Sequence, residues 1–367
     1  MTIGRRQSRL LVALALCLGL SLWSLPLPSL AAFNSAFPRR AALGALGALG
    51  TAPAAAGPTA PRPPLKPPAP ASGTISGGVL PLTIGLGTCL VSEGDVTRQV
   101  SSALDVGYRV IDTAQRYGNE AGIGLALKAA FEKGLSRDEV FVTTKVWPSN
   151  YGFDKAISSV QDSAKKLGLE AIDLVLPHWP GVSTDFEAAE TNFQLRQQTW
   201  KALERMKKDG LVKQIGVSNY NDRHLTELLD YAETLPMASQ FEIHPFNTRE
   251  SLVQKCKELG IRVNAYSPLG GKGNPNQVTD KLLSLQLLQD IGAAHGKTPA
   301  QLAQDMQQTI LRWHLQRGVT PIPKASSAQR LQENFDVFDF KLSDEEMQEI
   351  SELDRRRFAV MNSEVFL

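Results

Sequence analysis

From Leu82 onward the chain alternates short apolar runs with amphipathic stretches, and no other feature narrows its fold as much. The runs are LTIGLG, RVIDTA, VFVTTKV, IDLVLPH, QIGVSN, ASQFEI, RVNAYSP and VTPIPK. Between them lie helix-length segments such as ETNFQLRQQTWKALERMKKDG, whose final glycine is placed as a helix stop. Strands joined through helices run parallel, because parallel neighbours need a crossover. Eight such units match an α/β fold, a single closed (β/α)8 barrel of the TIM type with parallel strands, better than an open sheet.

A barrel of this kind gathers its functional groups at the C-terminal ends of its strands. Those ends are polar here. Asp112 closes the second run, Lys145 the third, His178 the fourth, Ser218 and Asn219 the fifth, Tyr266 and Ser267 the seventh, and Lys324 the eighth. One such residue would be read as a cap, but six polar ends together point to a site. Trp147, just past the third run, is expected on a wall of the substrate pocket. No metal site is expected, since His224, His244, His295 and His314 lack ligand spacing. Cys17, Cys89 and Cys256 stand apart, without zinc or disulfide spacing.

The charge is unevenly placed. Residues 1–71 carry seven basic side chains (Arg5, Arg6, Arg9, Arg39, Arg40, Arg62 and Lys66) and no Asp or Glu. Removing those seven from 39 leaves 32 basic against 37 acidic residues in 72–367, a net −5 that argues against a nucleic-acid partner. Residues 1–32 join an arginine-rich start, the run LLVALALCLGLSLWSL and a small-residue close at SLAA, the pattern of a cleavable signal peptide. The rival is a signal anchor, interrupted by Pro26 and Pro28; after cleavage no membrane span is expected. Residues 33–71 are rich in Ala, Pro and Arg and resemble a transit segment. The chain is thus read as a leader over 1–71 and a barrel domain over 72–367. The two-part leader is similar to those of plastids reached through the secretory pathway, so a plastid is the expected destination. Arg39-Arg40 also resembles a twin-arginine signal, which would send the protein to the thylakoid lumen, and the secretory pathway is the other alternative. Gly44, Gly47 and Gly50 follow no strand and are not read as a dinucleotide loop.

The polar strand ends suit the reduction of a carbonyl group, which needs a hydride on carbon and a proton for the developing oxyanion. Tyr117 can supply the proton. A phenol has a reference pKa of about 10, so a nearby ammonium such as Lys145 would stabilise its phenolate. Asp112 would hold Lys145 in a desolvated pocket, and His178 would orient the carbonyl oxygen.

The segments GYRVIDTAQRYGNE, TTKVWPSNYG and LVLPHWP resemble the aldo-keto reductase family over about residues 80–360. Asp112 and Tyr117 are five residues apart, Lys145 lies 28 farther on and His178 a further 33, similar to the family's tetrad in order and spacing. The resemblance implies NADPH (NADP+ when oxidised) bound along the strand ends without a Rossmann loop. It places Ser218, Asn219 and Gln240 at the nicotinamide carboxamide, Tyr266 on the nicotinamide ring, and Ser267 and Leu269 along the pyrophosphate. It also puts Thr88 among the cofactor contacts, Lys324 and Arg330 at the 2′-phosphate, and Glu333 and Asn334 at the adenine. Two departures stand out: Ala325 occupies a position where many members have serine, which would pass a phosphate contact to Ser326, and Ser239 replaces the commoner asparagine.

Two rivals are weighed. Tyr151 and Lys155 form the YxxxK pair of short-chain dehydrogenases, but no dinucleotide domain precedes them. A catalytically silent NADPH-binding, redox-sensing or regulatory subunit would share the fold, but would not need a positioned acid. The tail RRRFAVMNSEVFL is short for the family and implies an open pocket for small reactive aldehydes and keto sugars, on a protein that works as a monomer.

Overall fold

A computed structural model describes residues 81–362, apart from 275 and 296–301, together with 365 and 366. The leader expected over 1–71 lies outside the described residues. No helix among the described residues is long and apolar enough to cross a membrane.

Among the described residues, nine parallel strand segments follow the order of the sequence. They are β1 (Leu86–Gly87), β2 (Val110–Asp112), β3 (Phe141–Val146), β4 (Ile172–Pro177), β5 (Val212–Ile215), β6 (Val217–Ser218), β7 (Ala238–Glu242), β8 (Arg262–Tyr266) and β9 (Val319–Ile322). β5 and β6 are two halves of one barrel strand that parts at Gly216. A Cβ there would lie 2.4 Å from the Ala238 carbonyl oxygen, so only glycine lets the strand pass so close to β7. The Gly216 N–H still donates to the Val175 carbonyl at 3.1 Å, and the Met237 N–H to the Ile215 carbonyl at 2.8 Å, so the ladder carries across the break.

The eight expected strands are therefore present, and the first and last close on each other. Gly85 N–H donates to the Pro321 carbonyl at 2.9 Å, and Gly87 N–H to the Pro323 carbonyl at 3.0 Å. Pro321 and Pro323 have no N–H to return, so this seam is bonded in one direction only. That leaves the ordered ladder of the LTIGLG run just two residues long, at Leu86–Gly87.

The helices cover the outside. α1 (Glu93–Val106) begins at Ser92, whose side chain accepts the Asp95 N–H, and stops at Gly107, which takes the left-handed conformation with φ of 119°. α2 (Glu120–Glu132) and α3 (Phe153–Leu167) approach so closely that a Cβ on Gly124 would lie 2.3 Å from the Lys166 carbonyl oxygen. α4 (Ala189–Lys208), α5 (Asp222–Tyr231) and α6 (Glu250–Glu258) continue the ring. α7 (Thr279–Leu282), α8 (Gln286–Ala294) and α9 (Leu302–Gln316) connect β8 to β9, and α10 (Ala328–Phe335) and α11 (Asp344–Ser351) follow.

Side chains two apart on a strand share a face. Val110, Phe141, Leu174, Leu176 and Ala238 form a small buried cluster of their own, separate from the large core between strands and helices. Two positions beyond Val110 is Asp112, four beyond Phe141 is Lys145, and two beyond Leu176 is His178. The face that is apolar near the strand starts thus becomes polar at their ends.

Candidate active site

Asp112 and Lys145 end neighbouring strands and meet directly. The Lys145 ammonium donates to Asp112 Oδ1 at 2.6 Å and to the Thr113 carbonyl at 2.8 Å, with 1% and 5% of the two side chains exposed. Gln240 on β7 donates to the other carboxylate oxygen at 2.7 Å. Burying an unpaired charge would cost several kcal/mol, and here both ions have partners.

Tyr117 sits on a three-residue 3-10 turn, Gln115–Tyr117, which Gly118 ends with φ of 67°. Lys145 Nζ lies 5.3 Å from the centre of the Tyr117 ring, and the His178 ring stands edge-on to it with centroids 5.8 Å apart. Burial first, and then the neighbouring Cys89 and Asp112, push the Tyr117 hydroxyl well above its usual range. The fall expected from Lys145 is not seen, although its ammonium lies over the Tyr117 ring. Asp112 and the Thr113 carbonyl already hold that ammonium. His178 is held well below the normal imidazole range, chiefly by burial and also by the charges of Lys145 and Arg116, so it is neutral near pH 7. Among the described residues its Nδ1 has no hydrogen-bond partner.

These groups open onto a cleft of about 490 Å³. At its catalytic end lie Asp112, Tyr117, Trp147 and His178, with Ser218, Asn219, Gln240 and Tyr266. Asn219 takes a left-handed backbone, φ of 62°, and its side-chain amide donates to the His178 carbonyl at 2.9 Å and accepts from the Tyr266 hydroxyl at 2.8 Å. Ser267, Leu269, Lys324, Ser326, Arg330 and Asn334 line the same cleft. Neither Lys324 nor Arg330 pairs with an acid among the described residues. Cations, amides and hydroxyls along one cleft suit a ligand carrying phosphate, which is the fit a bound NADP needs.

The structure does not bring every expected contact to the cleft. Thr88 is fully buried beneath it, where its hydroxyl donates to the Asp112 carbonyl at 2.9 Å and its own carbonyl accepts from Asn119 at 2.9 Å. Glu333 does not line it; its carboxylate accepts from Gln329 at 2.8 Å. The tyrosine of the YxxxK pair is structural, since Tyr151 is buried and its hydroxyl donates to the Trp179 carbonyl. Among the described residues no cluster of His, Cys, Asp and Glu could hold a metal.

Sequence reading missed four groups at this site. Arg116 and Cys89 line the cleft, with the Cys89 thiol in hydrogen-bonding contact with Tyr117. Trp179 stacks beside His178 with centroids 6.3 Å apart. Val360 closes one edge, and its N–H donates to Glu242 at 2.9 Å. Arg116 neighbours Tyr117 and Trp179 neighbours His178, so both could have been found from that alone; Cys89 and Val360 depend on contacts between distant segments.

Residues 83–355 match the Aldo/keto reductase family. The chain belongs to that family. It is 40% identical over 271 residues to the 9,11-endoperoxide prostaglandin H2 reductase of Trypanosoma cruzi (strain CL Brener), covering 74% of this chain and 87% of that one. It is 40% identical over 272 residues to the glyoxal reductase of Bacillus subtilis (strain 168), covering 74% and 88%. Among solved structures, the Bombyx mori aldo-keto reductase in complex with NADP superposes with a TM-score of 0.67 at 32% identity, covering 78% of this chain and 92% of that one. This aldo-keto reductase is accordingly an NADP-dependent oxidoreductase with the barrel fold of its family.

Proposed function

We propose that this aldo-keto reductase reduces aldehydes and ketones to alcohols with Tyr117 as the proton donor, Lys145 and Asp112 as the charged pair behind it, and His178 as the group that orients the carbonyl. The observation that carries this is the convergence of these four side chains at one end of the cleft. NADPH, when bound, supplies the hydride to the carbonyl carbon. Tyr117 then gives its proton to the oxygen, so that a C–H and an O–H bond replace the C=O π bond. Lys145 holds positive charge behind the ring while the phenolate exists, and Asp112 keeps Lys145 in place. A neutral His178 can donate one N–H to the oxygen without competing as an acid. Ser218, Asn219, Gln240 and Tyr266 would hold the nicotinamide end, and Lys324, Ser326 and Arg330 the 2′-phosphate end.

The favoured substrates are small reactive carbonyls, supported by the open cleft and by the likeness to a glyoxal reductase. The acid-free composition of residues 1–71 supports delivery to a plastid.

The test is NADPH oxidation by the purified protein against short aldehydes, beside Tyr117→Phe. Loss of the acid should lower kcat by about 10²–10⁴-fold while NADPH affinity stays within a factor of about two. A Phe variant that keeps its rate within tenfold would remove Tyr117 from this role. Tight NADPH binding without turnover on any carbonyl would favour a regulatory subunit.

A further inference from the structure

Arg116 has no role in the scheme above. It is exposed, lies on the wall of the cleft beside Tyr117, and has no acidic partner among the described residues. Its guanidinium carbon stands 5.4 Å from the centre of the Trp147 ring. Trp147 in turn meets the His178 ring edge-on at 5.2 Å, and His178 faces Tyr117. Guanidinium, indole, imidazole and phenol thus form one continuous wall.

Charge in the cleft is one-sided. Asp112 is the only acidic side chain among the described residues lining it, and Lys145 and Gln240 already occupy its two oxygens. The other cations lining it are Lys272, Lys324 and Arg330, of which the last two are assigned above to the cofactor phosphate; Arg116 is the one next to Tyr117 and against Trp147. A guanidinium resting on an aromatic face is steadied, yet keeps N–H groups free to meet a carboxylate in paired fashion.

We propose that Arg116 is an anion subsite of the substrate pocket, and that the preferred substrates are carbonyl compounds bearing a carboxylate one aromatic ring's width from the reacting group. The reading rests on the carbonyl reductase activity proposed above. With the carbonyl between Tyr117 and His178, the spacer lies along Trp147 and the carboxylate reaches Arg116. Arg116 binds and aligns the substrate and takes no part in proton transfer.

The experiment compares 4-formylbenzoate with its neutral isostere 4-formylbenzamide, using the full chain, Arg116→Gln and Arg116→Lys. The two aldehydes differ in intrinsic reactivity, but that difference cancels when their ratio of kcat/KM is compared between variants. The ratio of acid to amide should fall about tenfold in Arg116→Gln, through KM for the acid, the scale of one charge-assisted contact open to water. Arg116→Lys should retain part of the preference, and added salt should erode it in the unaltered protein. NADPH affinity and thermal unfolding check that each variant is intact. An unchanged ratio, or an equal loss for both aldehydes, would overturn the subsite and leave Arg116 as a prop for Trp147. If the unaltered protein reduces neither aldehyde, the activity reading fails instead, and calorimetric binding of 4-formylbenzoate to the NADPH-loaded protein still reads Arg116. Binding that Arg116→Gln does not weaken would then overturn the subsite too.

Discussion

Replacing Lys145 with methionine separates the stability of the buried pair from its chemistry. The ions are 2.6 Å apart and nearly sealed from solvent. At that spacing their attraction is about 6 kcal/mol at an effective dielectric of 20. Taking both from water costs several kcal/mol each, so the pair adds little net stability. Stranding Asp112 is a different matter, because only the neutral donor Gln240, at 2.7 Å, would remain on its carboxylate. Breaking a buried pair from one side costs about 3–5 kcal/mol. For a barrel of this size that lowers Tm by roughly 6–10 °C, at about 2 °C per kcal/mol. Adding Asp112→Asn removes the stranded charge while leaving an oxygen for Gln240, and should restore about 2–3 kcal/mol. Urea unfolding of the four proteins in the cycle, without cofactor, measures both steps. If Lys145→Met costs less than about 1 kcal/mol and the double variant is no more stable than the single, Asp112 is being solvated through the cleft and the reasoning fails.

Lys324→Met and Arg330→Met should each weaken NADPH binding by about 10–50-fold and NADH binding by less than about threefold, since each removes one charge-assisted contact to a 2′-phosphate that NADH lacks; a fluorescence titration decides, and equal losses for both cofactors would contradict the assignment. The kcat for reduction should show no inflection from His178 between pH 6 and 8. Burial above all, with Lys145 and Arg116, depresses its pKa, so it gains a proton only well below 6.5, where its N–H donor would turn into a competing acid. An inflection near pH 6.5 that disappears in His178→Gln would show that the imidazole is solvated after all.

The catalytic end of the cleft was legible because its residues break local rules. Asp112 and Lys145 stand in β2 and β3, among residues that are all buried, where an ion is tolerated only if another element supplies its counter-ion. A chain that repeats strand and helix in step brings those strand ends together, so the sequence places the two charges side by side before any contact is known. The same regularity made the parallel order readable. The barrel seam was not readable in detail: Pro321 and Pro323 were visible, but nothing local says that their carbonyls accept from Gly85 and Gly87, on a strand more than two hundred residues away.

The residues misplaced or missed share a different cause, which is that a side chain's direction in a turn or tail depends on its partners. Thr88 follows the end of β1 much as Asp112 closes β2, yet its hydroxyl turns to the Asp112 carbonyl and it does not line the cleft. Glu242 is the mirror case. It closes β7 as a fully buried carboxylate with no cation in its strand to explain it, and its partners are His244 at 3.0 Å and the Ala359 and Val360 N–H groups at 2.5 and 2.9 Å. Those two amides belong to the tail, and Val360 forms part of the cleft wall. A buried acid at a strand end therefore signals a partner without naming it: for Asp112 the partner is Lys145, and for Glu242 it includes the tail backbone, of which Val360 lines the cleft. Sequence spacing separates the two only because Lys145 lies on the adjacent strand, whereas residues 359 and 360 reach Glu242 from beyond the last helix.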